Sequence, residues 1–122
     1  MATVKPILRI FDNALALSFY CDWLGFTVDW KHQVNNGPVY LQVSRNDIVL
    51  HLSEHHGDCS PGARIFIDDM ENLALYHRSL LQKEYRYNRP GIHIPFYDAQ
   101  ALEMTVIDPF GNRITFVQRG TT

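Results

Sequence analysis

Two strand-like segments near the C-terminus are joined by a turn, and this hairpin limits the possible folds more than any other stretch of the chain. Residues 102–107 and 113–117 alternate apolar and polar side chains around Asp108-Pro109-Phe110-Gly111-Asn112. Proline presets φ at about −65°, Gly111 or Asn112 can adopt positive φ, and the Asp108 carboxylate can cap nearby backbone N–H groups. The pattern predicts a β-hairpin with Glu103, Thr105 and Ile107 on one face.

Composition indicates one compact domain and excludes some classes of partner. The chain has 122 residues, 46% of them hydrophobic, and its 11 basic and 13 acidic residues form no long run of like charge and give a net charge of −2. This offers no basic stripe for nucleic acid and no polybasic segment for a membrane surface. The N-terminus lacks the apolar core of a signal peptide, so we expect a cytoplasmic protein in which Cys21 and Cys59 are free thiols.

The same order of elements, a strand, a helix and three strands, is predicted twice. Strands are predicted at 4–10, 26–34, 39–43, 48–53, 63–67 and weakly at 85–88, helices at about 15–24 and 73–81, and an irregular loop at 89–101 before the hairpin. Asp12 or Asn13 would cap the first helix, Gly25 would end it, and Asp68-Asp69 would cap the second. An internal repeat and a chance likeness between two ordinary strand–helix units both remain open.

Three motifs together resemble the vicinal oxygen chelate superfamily, which includes glyoxalase I, extradiol dioxygenases and bleomycin resistance proteins. They are Leu8-Arg9-Ile10-Phe11-Asp12, Phe19-Tyr20 followed by Leu24-Gly25-Phe26, and Asp108-Pro109-Phe110-Gly111-Asn112. The chain is most similar to the small bleomycin-resistance-like group. The resemblance implies an α+β fold in which two βαβββ modules, at approximately 1–56 and 60–122, form a curled mixed sheet around a cleft. It also implies a homodimer, with the N-terminal strand Val4–Ile10 exchanged or packed across the interface.

The metal positions of the superfamily are poorly filled in this sequence. Matching the motifs places them near Lys5, His51, Gly62 and Thr115, and only histidine among these is a usual ligand of a divalent metal. We therefore expect no metal and no other cofactor. His55-His56, with His51 four residues earlier, resembles a metal cluster in composition, but the alternative that we favour is a solvated loop. His51 itself is either a half-buried core histidine or a residue that lines the cleft.

The resemblance also implies a set of ligand-binding residues. The antibiotic-binding members hold a planar cationic glycopeptide between aromatic and acidic side chains, and the matching residues in this chain are Asp29, Trp30, Tyr40, His51, Arg64, Phe66, Phe96, Tyr97 and Glu103. Arg64 departs from the group, since an aromatic residue is common at that place. Trp30, Tyr40 and Phe66 have a second interpretation, as core or dimer-interface residues.

The sequence thus leads to one main functional hypothesis and two alternatives. The main one is a non-catalytic, bleomycin-resistance-type protein that sequesters an antibiotic. The alternatives are a metal-dependent lyase or dioxygenase with an unusual ligand set, and a small-molecule binding module of another kind. Neither a Gly-x-Ser-x-Gly nucleophile motif nor a glycine-rich phosphate loop occurs in the sequence.

Overall fold

The computed structural model of the protein describes residues 2–86 and 88–120 and contains two four-stranded mixed sheets. The elements are β1 (Ile7–Arg9), α1 (Asn13–Leu17) continuing as a π-helical segment (Ser18–Trp23), β2 (Thr27–His32), β3 (Tyr40–Arg45), β4 (Ile48–Ser53), β5 (Arg64–Ile67), α2 (Leu73–Gln82), β6 (Ile92–His93), β7 (Leu102–Ile107) and β8 (Arg113–Gln118). The strand orders are β1-β4-β3-β2 and β5-β8-β7-β6. The predicted α+β class with two βαβββ modules is confirmed, and the two sheets have the same connectivity.

The contacts along the chain separate two units. The first comprises Met1–Ala63 with Asp108–Asn112, and the second comprises Arg64–Ile107 with Arg113–Thr122. In the first unit, β1 lies parallel to β4, and the other neighbouring strands are antiparallel. Side chains of one sheet face are buried, and the core of this unit includes Leu8, Leu41, Val43, Leu50 and Leu52 together with Phe19, Tyr20, Trp23 and Leu24 of the helical segment.

The second unit repeats this arrangement with β5 parallel to β8 and with α2 against β7 and β8. The Tyr76 ring meets the Phe116 ring edge to face, with centroids 5.6 Å apart. Met104 and Val106 are buried on the same sheet face as Phe116. Because neighbours along a strand point to opposite sides, Glu103, Thr105 and Ile107 of β7 share the other face, as the hairpin pattern predicts.

The hairpin turn has the predicted backbone conformation and hydrogen bonds. Gly111 takes a φ of 89°, and the Asp108 Oδ1 atom accepts hydrogen bonds from the backbone N–H groups of Phe110 and Asn112 at 2.9 and 2.8 Å. The side-chain amide of Asn112 donates to the Arg9 carbonyl oxygen, and its own oxygen accepts from the N–H of Ala63. The turn is therefore fixed to β1 and to the chain before β5 by side-chain hydrogen bonds.

The first helix begins and ends as predicted. Asp12 accepts a hydrogen bond from the N–H of Leu15, and Gly25 has a φ of 85°. Cys21 and Cys59 are free thiols, also as predicted. In the part of the chain that the structure describes, no helix is both long enough and apolar enough to span a membrane.

Two predicted details are wrong. Asp68-Asp69 do not cap α2: the residue before this helix is Asn72, and the N–H of Leu73 donates to the Gln118 side chain. Both aspartates lie before the N-cap position, from which a side chain reaches the first N–H groups of a helix, and the Asp68 carboxylate pairs with the guanidinium of Arg119 at 2.8 Å. The weak strand at 85–88 is also wrong for its described residues, because the edge beside β7 is occupied by the short β6, inside the segment predicted as irregular.

Candidate functional site

Aromatic and polar side chains cover one face of the first sheet. Trp30 is opposite Gln42 on β3, and Gln42 is opposite His51 on β4. Tyr40 lies two residues before Gln42 and shares its face. The Trp30 and Tyr40 rings are stacked, with centroids 5.9 Å apart and an interplanar angle of 10°, and the His51 ring meets each of them edge to face at 5.3 Å. We call Asp29, Trp30, Tyr40 and His51 the first cluster.

Both ring nitrogens of His51 have hydrogen-bond partners. Its Nδ1 lies 2.6 Å from the Tyr40 hydroxyl, and its Nε2 lies 3.0 Å from the Gln42 Oε1 atom. Because Oε1 can only accept, Nε2 carries the hydrogen and Nδ1 accepts from the tyrosine. Burial, and to a lesser extent the charge of Lys5, lowers the pKa of His51 below its ordinary value. The two hydrogen bonds thus orient the imidazole, and the lowered pKa favours its neutral form.

The Asp29 carboxylate continues this hydrogen-bond chain at the exposed edge strand. The register between β2 and β3 shifts between Val28 and Trp30, so Asp29 is the extra residue of a β-bulge. Its two oxygens accept from the Gln42 amide and the Ser44 hydroxyl, both at 2.9 Å. These hydrogen bonds, with that of Gln42 first, lower the pKa of Asp29. The bulge therefore presents a fixed negative charge beside the Trp30 ring.

A second group of predicted residues meets on the second sheet. The Tyr97 hydroxyl donates to the Glu103 Oε2 atom at 2.7 Å, and the His93 Nε2 atom lies 3.3 Å from Oε1. Burial of the phenol, followed by its hydrogen bond to Glu103, raises the pKa of Tyr97. The Tyr97 ring lies 6.5 Å from that of Phe66 and 5.5 Å from that of Phe96. We call Phe66, Phe96, Tyr97 and Glu103 the second cluster.

Exposure separates the alternatives for the aromatic residues. Trp30 is 43% exposed and Phe66 is 51% exposed, while Tyr40 is half-buried. None of the three lies in the core of its unit, because each side chain stands on the sheet face opposite the buried aliphatic residues. The core interpretation is therefore wrong, and the dimer-interface interpretation stays a prediction. Phe96 is fully exposed. Arg64 is also exposed and, two residues before Phe66 on β5, shares its face.

Several contributing residues were not identified from the sequence. Gln42 and Ser44 orient His51 and Asp29, His93 approaches Glu103, and the Arg119 guanidinium lies over the Tyr97 ring at 5.2 Å. Alternation along β3 could have indicated the first two, since Tyr40, Gln42 and Ser44 occupy every second position. Arg119 lies beyond the hairpin motif and has no comparable signal in the sequence.

The superfamily metal positions do not fit a metal. The hydroxyl of Thr115, a buried residue, lies 2.9 Å from that of Thr105. Gly62 has no side chain, Lys5 offers an ammonium group, and the ring nitrogens of His51 are engaged by Tyr40 and Gln42. Across residues 2–86 and 88–120, no group of three or more His, Cys, Asp or Glu side chains is arranged to hold an ion. These residue types lack the convergent nitrogen and oxygen ligands that Lewis-acid chemistry needs.

The segment with His55 and His56 is a bent loop, as predicted. The Asp58 carboxylate in this loop accepts a hydrogen bond from the Ser53 hydroxyl at 2.6 Å, and Ser53 in turn accepts from the N–H of His55. The His55 ring lies 6.5 Å from that of Tyr40, edge to face. These contacts order the start of the loop through Ser53.

The structure resembles solved bleomycin resistance and antibiotic-binding proteins. A bleomycin resistance determinant encoded on the transposon Tn5 superposes with a TM-score of 0.74 at 18% identity, covering 99% of this chain and 100% of that chain. A bleomycin-binding protein from bleomycin-producing Streptomyces verticillus, complexed with copper(II)-bleomycin, gives a TM-score of 0.70 at 24% identity and coverages of 99% and 98%. TnmS3, an antibiotic-binding protein from Streptomyces sp. CB03234, gives 0.74 at 20% identity and 98% of each chain. At these identities the likeness shows a shared fold.

Family comparison covers the full sequence. The curated proteins include no match to it. Residues 1–122 match the family described as glyoxalase superfamily protein. The chain therefore belongs to the glyoxalase superfamily.

Proposed function

We propose that this protein is a non-catalytic binding protein of the bleomycin-resistance type, which sequesters a planar cationic glycopeptide antibiotic in a cleft that a second copy of the chain completes. The observation that carries the proposal is the first cluster, in which an exposed indole stacked on Tyr40 stands beside the ionised Asp29. A flat cation gains from such a surface through ring stacking and through attraction to the carboxylate. The antibiotic-bound structural neighbours support the same class of ligand.

The second cluster supports the proposal independently. Phe66 and Tyr97 offer ring surface, and the Glu103 carboxylate is held in one orientation by the Tyr97 hydroxyl. A preorganised carboxylate needs less ordering when a ligand binds, and the affinity benefits accordingly. Each cluster is thus suited to binding as it stands, because its polar groups are already oriented by neighbouring side chains.

Binding accounts for His51 better than metal chemistry does. A metal ligand needs a free lone pair, whereas the Nδ1 lone pair of His51 accepts the Tyr40 hydroxyl hydrogen and Nε2 bears its own hydrogen. The ring instead supports Trp30 and Tyr40 at their edges. We therefore assign His51 to the wall of the binding surface.

The test is a titration with metal-free bleomycin, because bound copper would itself quench fluorescence. Of the two tryptophans, Trp23 is buried at 2% exposure and Trp30 is 43% exposed, so a ligand on the first cluster should alter the Trp30 emission. We expect saturable quenching that disappears in Trp30→Phe, while Trp23 supplies a constant background. Metal analysis of the protein after chelator treatment runs in parallel. Bleomycin binding that does not saturate, or an enzymatic activity that depends on a tightly retained metal, would contradict the proposal.

A further inference from the structure

Two arginine side chains stand next to each other on the open face of the second sheet. Arg64 at the start of β5 is opposite Arg113 at the start of β8, in parallel register, and both residues are exposed. Residues paired in this way project from the same side of a sheet. Within the described ranges 2–86 and 88–120, neither guanidinium forms an ion pair with a carboxylate.

The sheet itself does not neutralise this pair. On its other side Arg113 is opposite Ile107, which has no charge. Three carboxylates of the unit have other partners: Asp68 and Asp98 pair with Arg119, and Glu103 contacts Tyr97 and His93. Like charges directly opposite each other destabilise a sheet. The two arginines therefore carry an unfavourable interaction that a bound anion would relieve.

An aromatic ring lies next to the pair on the same face. Phe66 follows Arg64 by two residues, which corresponds to roughly 6 to 7 Å along the strand, and it is 51% exposed. The planar guanidinium group matches the geometry of carboxylate, sulfonate and phosphate oxygens and can form two parallel hydrogen bonds to them. One flat aromatic molecule with an acidic substituent has the dimensions to contact both features at once.

We propose that Arg64, Arg113 and Phe66 form a subsite for an aromatic anion, a flat ring bearing a carboxylate, sulfonate or phosphate group. The inference rests on the proposed function in treating this sheet face as ligand-binding, and it adds the chemical class of the group recognised there. The acid lies against the two guanidinium groups, and the ring lies against Phe66. A natural ligand of this chain accordingly carries an anionic group as well as any cationic part.

The test uses naphthalenesulfonate, with the neutral naphthalenemethanol as its matched control. Isothermal titration calorimetry should show saturable binding of the sulfonate, with an affinity at least about tenfold above that of the alcohol, because charged hydrogen bonds are worth more than neutral ones. Arg64→Gln and Arg113→Gln should each lose about tenfold in affinity. Arg78→Gln makes the same charge change at an exposed position of α2 and should leave the affinity unchanged.

Three results would overturn the subsite: equal binding of the sulfonate and the alcohol, equal losses in Arg78→Gln and Arg113→Gln, or no saturation. Near-ultraviolet circular dichroism checks that each variant is folded, and Arg64→Lys provides a second variant that keeps the charge and should retain most of the affinity. The bleomycin titration separates the two proposals. If the protein does not bind bleomycin but binds the sulfonate in a way that depends on the two arginines, the antibiotic proposal is wrong and the subsite is supported.

Discussion

The Tyr20 hydroxyl donates a hydrogen bond of 2.6 Å to the Oδ2 atom of Asp108, which also accepts from the Asn112 amide. Both residues are buried, and the other carboxylate oxygen accepts two backbone N–H groups of the turn. Four donors thus surround a buried carboxylate. This network explains physically why an aspartate, an asparagine and a tyrosine occur in motifs that are far apart in the sequence.

We predict that Tyr20→Phe lowers the free energy of unfolding by about 1 to 3 kcal/mol, because one buried hydrogen-bond donor is lost. Asp108→Asn should cost more, since its amide hydrogens would face groups that are themselves donors. Urea denaturation followed by circular dichroism measures both. Asp47→Asn, in the exposed turn between β3 and β4, is the matched control and should change the stability little. Equal stability of Asp108→Asn and Asp47→Asn would contradict the structural role of the network.

Features determined by neighbouring residues were predictable from the sequence. The hairpin, the positive φ of Gly111 and the cap at Asp12 depend on residues within a few positions of one another, and strand alternation assigned Glu103 and Thr105 to one face. The candidate residues that the resemblance supplied fall into two clusters, because alternate positions of adjacent strands meet on one sheet face. Arg64 shares the face of Phe66 without joining its hydrogen-bond network.

Features determined by distant partners were not predictable. The Asp68 carboxylate, predicted as a helix cap, instead pairs with Arg119, which is 51 residues away. Similarly, the orientation of His51 depends on Tyr40 and Gln42 of the neighbouring strand, which only the β3–β4 register brings together. Local propensity carries no information about such contacts.

The lowered pKa of His51 gives a prediction for the pH dependence of stability. Its pKa in the folded protein lies below the ordinary value of 6.5, so the unfolded chain takes up the proton first as the pH falls. Stability from this group is therefore fully present above 6.5 and is lost as the pH falls toward the lower, folded pKa. We expect His51→Gln, which stays neutral, to show a smaller loss of unfolding free energy in this acidic range.

Urea titrations at neutral and mildly acidic pH measure this effect. His32→Gln, at an exposed position of the edge strand β2, is the control for removing a histidine. If the unfolding free energy falls as much on acidification in His51→Gln as in the parent, the hydrogen-bonded imidazole of His51 is not the origin of the pH dependence.

The homodimer remains a prediction, and the N-terminal segment allows a direct test. Val4 is 91% exposed and Ile7 is 39% exposed, so both present apolar surface of the kind that a partner would cover. We expect sedimentation equilibrium at micromolar concentration to give twice the chain mass of 14.1 kDa. Val4→Asp should shift the protein toward monomer, because it would bury an unpaired charge. Val34→Asp, in the exposed loop between β2 and β3, is the control. A monomeric parent protein would contradict the predicted dimer.

The sharpest prediction for ligand binding concerns Glu103 and Trp30. Glu103→Gln keeps the shape of the side chain and an oxygen that can accept from the Tyr97 hydroxyl, while it removes the charge that a cationic ligand would meet. Loss of a desolvated carboxylate partner should weaken bleomycin binding by about 2 kcal/mol or more, whereas Trp30→Ala, which loses a stacking surface, should cost about 1 kcal/mol. Calorimetry measures both affinities without relying on tryptophan emission.

Glu84→Gln makes the same charge change at an exposed position and should bind as the parent does, and Trp30→Phe should recover part of the stacking energy. If both cluster variants bind bleomycin as tightly as the parent, the ligand does not contact these two residues, and sequestration by the two clusters is wrong.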